Sequence, residues 1–209
     1  PSADPEIISA IETFSRDVLL PRARDIDEGS IFTICHRDAL SEIGLFGLNL
    51  PSLYGGAGVN AHTLFESIAR MTGACASTAS MVTAHYLGTD SILHGGSESQ
   101  KAQYLPRAAK GELLCAFALT EPHAGSNPAD MTSLATRDGA AYRLKGVKHF
   151  ISNAGAADLI VVYAKTDPAQ GARGISAFLV DPRSEGIMIG PAEKTMGLKG
   201  GHVFEIQFD

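Results

Sequence analysis

Phe117-Ala118-Leu119-Thr120-Glu121-Pro122-His123-Ala124-Gly125-Ser126-Asn127 is the stretch whose reading decides the fold. A strand-like apolar run from Leu113 to Leu119 leads into it, and Ala124-Gly125-Ser126 closes it as a small-residue turn. Pro122 removes a backbone donor and biases Glu121 towards an extended conformation, so a helix stops here. Gly125 permits close backbone approach, and the hydroxyls of Thr120 and Ser126 flank the bend. Such a turn either caps a strand in the ordinary way or cradles a phosphate or the polar edge of a ring system.

Upstream of this stretch the chain reads as helical. Ile7, Ile8, Ile11, Phe14, Val18 and Leu19 recur at helical spacing and are expected to stop at Pro21. Ala39 to Leu45 marks a shorter helix running into a Gly-rich loop, and residues 61 to 73 and 77 to 94 read as two consecutive helices. The second is small-residue-rich and apolar on most faces, which suits a buried helix or one lining a pocket. Ser97 with Gln100 forms a capping-box pattern, opening a helix expected to run to about Lys110 and to close at Gly111.

Downstream the period changes to two. Residues 159 to 164, 175 to 180 and 203 to 208 are short β-rich runs separated by Gly, Pro and Asp turns. Phe204, Ile206 and Phe208 alternate with Glu205 and Gln207, as on a half-buried strand. The fold class is therefore α+β: an all-helical region over 1–112, then an antiparallel, barrel-like β region over 113–209.

Composition bounds the function. With 209 residues, 44% apolar and 19% charged, the chain describes a folded globular protein. A net charge of −6 and the lack of a basic stretch argue against a nucleic-acid surface. No apolar run approaches the roughly 20 residues of a bilayer span. Pro1-Ser2-Ala3-Asp4 does not read as a signal peptide, and Cys35, Cys75 and Cys115 fit neither a zinc site nor a disulfide scaffold. The expectation is a cytoplasmic protein, three free buried thiols and no metal.

A second segment, His149-Phe150-Ile151-Ser152-Asn153-Ala154-Gly155, follows the strand-like Ala141 to Gly146. Together the two segments resemble the acyl-CoA dehydrogenase family. That family carries a Tyr-x-x-Thr-Glu-Pro-x-Ala-Gly-Ser-Asp motif in its middle domain, and a Trp-Ile-Thr/Ser-Asn motif after it. The likeness extends over essentially the whole chain, through Gly55-Gly56-Ala57-Gly58, Gly96 to Pro106 and Lys194 to Gly200.

The resemblance implies FAD-dependent α,β-dehydrogenation of an acyl-CoA thioester in fatty acid metabolism. It also implies a homo-oligomer (a tetramer in the intact family) and an acceptor such as an electron-transfer flavoprotein. By the match, main-chain groups of Leu119 and Thr120 meet the flavin's pyrimidine side, and Phe117 stands where the family often has Tyr. Ser126 matches a position that touches both the cofactor phosphates and the thioester substrate. Phe150 occupies the Trp position, a role compatible with a core aromatic of the β region. Ile151 follows it, Ser152 matches the hydroxyl that donates to flavin N5, and Asn153 fixes the turn.

Three positions depart from the family pattern. His123 replaces a usual Gly, Asn127 a usual Asp, and Gly201-His202-Val203 stands where Ser-x-Thr is common. His85 reads as a packed or pocket-lining residue, Glu121 as a structural carboxylate, and Gly55 to Gly58 as a turn rather than a phosphate loop. In most of the family the base is a Glu on a C-terminal four-helix bundle. The sequence stops at Asp209, so the bundle is expected to be missing and no base is nominated. The 209 residues alone are expected to be inactive, to hold FAD weakly and to expose a large apolar surface on the β region. The alternatives are a flavin oxidase or monooxygenase of the same fold, and a non-catalytic fragment or subunit.

Overall fold

A computed structural model describes residues 2–209. Asp4 caps the first helix, α1 (Pro5–Phe14), accepting from the amides of Glu6 and Ile7. The chain does not stop at Pro21 as the sequence suggests. A π-helical turn over Ser15–Leu19 follows α1, and α2 (Leu20–Gly29) begins at once, with Pro21 in its first turn. The wider turn bonds the Leu20 N–H back to Ser15, and a first-turn proline needs no donor, so the helix continues.

After α3 (Arg37–Glu42), the Gly55–Gly58 segment folds into a tight turn. Ala57 N–H donates to Gly47 O and Gly58 N–H to Leu50 O. A Cβ on Gly56 would lie 2.1 Å from Leu50 O, so only glycine fits there. Then come α4 (Ala61–Ala74), α5 (Ala76–Gly95) and α6 (Glu98–Ala109). Both halves of the Ser97–Gln100 capping box are present at the start of α6. The chain leaves that helix through Gly111, at φ +73°. As its composition implies, α5 is the buried helix, with Met81, Val82, His85 and Tyr86 all inside.

Seven strands follow among the described residues: β1 (Cys115–Ala118), β2 (Leu134–Asp138), β3 (Ala141–Ser152), β4 (Leu159–Lys165), β5 (Ile175–Val180), β6 (Ile187–Ile189) and β7 (Val203–Phe208). They form one sheet in the order β1-β4-β2-β3-β7-β6, with β5 also on β4. Most pairs are antiparallel, but β1 and β2 both run parallel to β4, and the β2–β3 hairpin lies in the crossover between β1 and β4. The short β2 and β6 carry no clear alternation and escape a sequence reading. One long strand, β3, joins what the sequence reads as two segments. It passes Gly146, where a Cβ would lie 2.3 Å from Ser133 Oγ.

Three apolar clusters hold this together. One lies within the helices (Leu19, Phe46, Met81), one between α5, α6 and the β1/β4 pair (Ile92, Leu105, Val161), and one inside the sheet's curl (Ile160, Phe204, Ile206). Polar ties cross the join as well. Asp158 Oδ2 accepts from Arg37 at 2.6 Å and from the Leu114 amide at 2.9 Å. The three cysteines are free, and Cys75 and Cys115 are buried. Cys35, expected to be buried, is exposed in the short turn before α3. No helix among the described residues is long and apolar enough to cross a membrane.

Candidate functional site

The Thr120–Ser126 turn closes on itself. Glu121 N–H donates to Ala124 O at 3.0 Å and Ala124 N–H donates back at 3.1 Å, leaving Pro122 and His123 exposed at the tip. β3 lies against the entry to this turn, with His149 N–H donating to Thr120 O at 2.8 Å. The two segments singled out in the sequence are thus neighbours in space.

A buried ion pair locks them together. Lys148 Nζ lies 2.8 Å from Glu121 Oε1, and the two side chains are 0% and 3% exposed. Lys148 also donates to Leu119 O at 3.1 Å. Glu121 accepts three more bonds, from the Thr132 amide and hydroxyl and from the Ser133 amide. Burial alone would raise the Glu121 pKa, but the hydrogen bonds from Lys148, Ser133 and Thr132 outweigh it and hold it at about 2. Glu121 is therefore an ionised structural carboxylate. Its partner Lys148 is missed by a sequence reading, although a lysine within an apolar strand (Val147 before it, Ile151 after it) is a usable signal.

Beside this lock β3 bulges. Lys148 pairs with Ile206 and Ile151 with Phe204, so two β3 residues oppose the single Glu205. Phe150 takes φ +57°, rare for a bulky residue, and its ring is 60% exposed. The His149 ring stacks on it, and His149 Nε2 reaches Glu193 Oε1 at 3.2 Å.

The other sequence-predicted positions separate. Thr120 and Ser152 are half-buried and Ser126 is exposed. Ile151 is 1% exposed, within the sheet's core and paired with Phe204 of β7, so it presents almost no surface to a ligand. Phe117 turns its ring onto Tyr163 of β4, at 5.2 Å between centroids, and Tyr163 in turn bonds to Ser91 of α5. Asn153, at φ +68°, is buried and donates to Met81 O and Cys115 O. His85 is fully buried, its Nδ1 accepting from the Cys115 amide, and burial lowers its pKa to about 3. It is a neutral packing residue. His202, at one of the departures noted above, stacks on Phe32 at 4.7 Å and meets Ser30 O.

A cavity of about 500 Å³ lies elsewhere, bounded by Tyr142, Leu144, Phe178, Ile187 and Phe208. None of the predicted site residues lines it. Among the described residues no cluster of His, Cys, Asp or Glu could hold a metal ion.

Sequence profiles of the acyl-CoA dehydrogenase N-terminal domain and middle domain match residues 3–112 and 116–209. The chain belongs to the acyl-CoA dehydrogenase family. It is 42% identical over 192 residues to a cyclohex-1-ene-1-carbonyl-CoA dehydrogenase of Geobacter metallireducens, covering 91% of this chain and 50% of that one. Butyryl-CoA dehydrogenase of Megasphaera elsdenii superposes with a TM-score of 0.92 at 30% identity, over 97% of this chain and 54% of that one. A glutaryl-CoA dehydrogenase of Mycobacterium smegmatis in complex with FADH2 gives 0.91 at 31% identity, over 98% and 52%. The chain spans about half the length of these relatives.

Proposed function

We propose that the chain forms the helical (1–112) and β (113–209) parts of an FAD-dependent acyl-CoA dehydrogenase. The observation that carries this reading is the junction of the Thr120 turn with the bulged β3. There, an amide and a hydroxyl of Thr120 stand next to an outward-facing aromatic ring on a strained backbone.

The residues present fit a flavin. The Thr120 N–H has no backbone partner among the described residues and is free to donate to an acceptor-rich ring edge. Phe150 offers an exposed ring face for stacking. Ser152 brings a half-buried hydroxyl two residues on, as the match to N5 requires, and Ser126 an exposed one suited to phosphate or thioester. Leu119 contributes backbone, Ile151 anchors the strand between Phe150 and Ser152 from within the core, and Phe117 supports β1 from the helical side. Bound FAD supplies a two-electron hydride acceptor. The role of these residues is to orient the ring and keep fixed dipoles aimed where negative charge develops. The substrate is an acyl-CoA thioester, and the electrons pass on to an acceptor such as an electron-transfer flavoprotein.

The intact enzyme that contains this chain, titrated with FAD and then given acyl-CoA and a dye acceptor without oxygen, tests the reading. Bleaching of the flavin spectrum by acyl-CoA with dye reduction supports it. FAD that binds but is never bleached by any acyl-CoA refutes the dehydrogenase activity. In a parallel aerobic assay, oxygen uptake without dye reduction would mark an oxidase.

A further inference from the structure

The Leu119–Thr120 peptide has two ends with different fates. Its carbonyl oxygen is gripped from behind by Lys148 Nζ at 3.1 Å, inside a pair that excludes water. Its N–H, on Thr120, finds no backbone partner among the described residues. A peptide is planar and trans, so its C=O and N–H point in opposite directions. Whatever fixes the carbonyl therefore fixes the direction of the N–H. The next peptide is held in the same manner, its Thr120 carbonyl taken by the His149 amide and its Glu121 N–H by Ala124 O. Lys148 thus sits at the head of a chain in which one donor alone is left to face outward.

We infer that Lys148 is a positioning residue that aims and polarises the Thr120 N–H towards the flavin's electron-rich edge. This rests on the flavin reading above. An ammonium on a carbonyl oxygen draws electron density through the amide resonance and makes the N–H a stronger donor. In a dry site that donor favours the reduced, more negative flavin over the oxidised one. Glu121 keeps the ammonium in place. Thr132 and Ser133 keep Glu121 in place with three hydrogen bonds. The pair is therefore more than a staple between β3 and the turn, because its charge is delivered through one peptide to the site.

The test combines a double substitution with two readouts. Lys148→Met alone would strand a buried carboxylate and endanger folding. Lys148→Met with Glu121→Gln removes both charges and keeps one acceptor oxygen, which can serve the Thr132 amide and hydroxyl while the Ser133 amide loses its partner. In the FAD-loaded protein the double variant is expected to bind reduced FAD about tenfold more weakly relative to oxidised FAD. That lowers the two-electron midpoint potential by about 30 mV. Lys148→Arg, which keeps the charge, should restore most of it. In the FAD-free protein the Thr120 amide resonance should move in the double variant.

Wild-type protein gives a further measurement that needs no substitution: the Thr120 amide shift should follow the alkaline titration of Lys148, read from the labelled lysine. A potential unchanged in the folded double variant overturns the inference, as does a Thr120 resonance indifferent to Lys148. An intact wild-type enzyme that binds no FAD would instead overturn the flavin reading, while the Thr120 resonance would still report on Lys148.

Discussion

His149 and Phe150 are consecutive in a strand, yet their rings stack 4.0 Å apart and 11° from parallel. Regular strands send successive side chains to opposite faces. The bulge between Lys148 and Ile151 cancels that alternation and puts both rings on one side. The stack covers one face of Phe150, which is otherwise 60% exposed. Glu193 holds the far side of the imidazole.

Phe150→Ala should separate stability from binding. An exposed ring contributes little to folding, so the unfolding free energy should change by less than about 1 kcal/mol. FAD affinity should fall about two- to tenfold, the size of one aromatic contact. Chemical denaturation and flavin titration check the two halves, and an affinity equal to wild type would remove Phe150 from the site.

Ser152→Ala in the FAD- and acyl-CoA-loaded enzyme should slow flavin reduction by about tenfold, with stability within about 1 kcal/mol of wild type. A bond made mainly as charge develops shows in the rate before it shows in binding. Stopped-flow absorbance reads this directly, and identical bleaching rates would exclude a role for Ser152 in the hydride step.

Acid should destabilise the protein well above the carboxylate range. His85 has a folded pKa of about 3 against an ordinary 6.5, so between these values the unfolded chain binds a proton that the folded chain does not. Stability is therefore full above pH 6.5 and declines on acidification until about pH 3. His36, also buried and lowered by burial, adds to the slope. His85→Gln should flatten the profile between pH 6 and 4, and urea midpoints across that range, equally steep in both proteins, would refute the assignment.

Gly88→Ala should cost about 1–3 kcal/mol by overpacking. A Cβ there would lie 2.5 Å from Cys115 Cβ, because α5 rests directly on β1. Gly73→Ala, with nothing within 4 Å, should be neutral or stabilising and serves as the control. Thermal denaturation of the pair decides it.

Much of the fold is legible in the sequence. The α4 and α5 runs, the Ser97 box, and the β4, β5 and β7 strands all stand within a residue or two of their sequence-expected limits. What escapes is non-local or irregular. Pro21 looks like a stop because nothing in the local sequence announces the π-helical turn that absorbs it. β3 looks like two pieces because its bulge and Gly146 break the alternation. For the candidate site, the nearness of the Thr120 turn to the Phe150 segment can be anticipated from the paired motifs. The reversal of Phe150 and the Lys148–Glu121 lock cannot, since both depend on which strand lies alongside.

Asn153 carries a consequence for how the chain assembles. One side-chain amide joins α5, 72 positions earlier, to β1, 38 positions earlier, from a turn that precedes β4. The parallel β1–β4 register on the far side of that turn is thereby tied to the seating of α5. Contacts so distant along the chain close late and slowly, after most of the entropy of loop closure has been spent. The helical and β halves should therefore melt together in one transition, with refolding limited by the docking of α5 against β1 rather than by formation of either half.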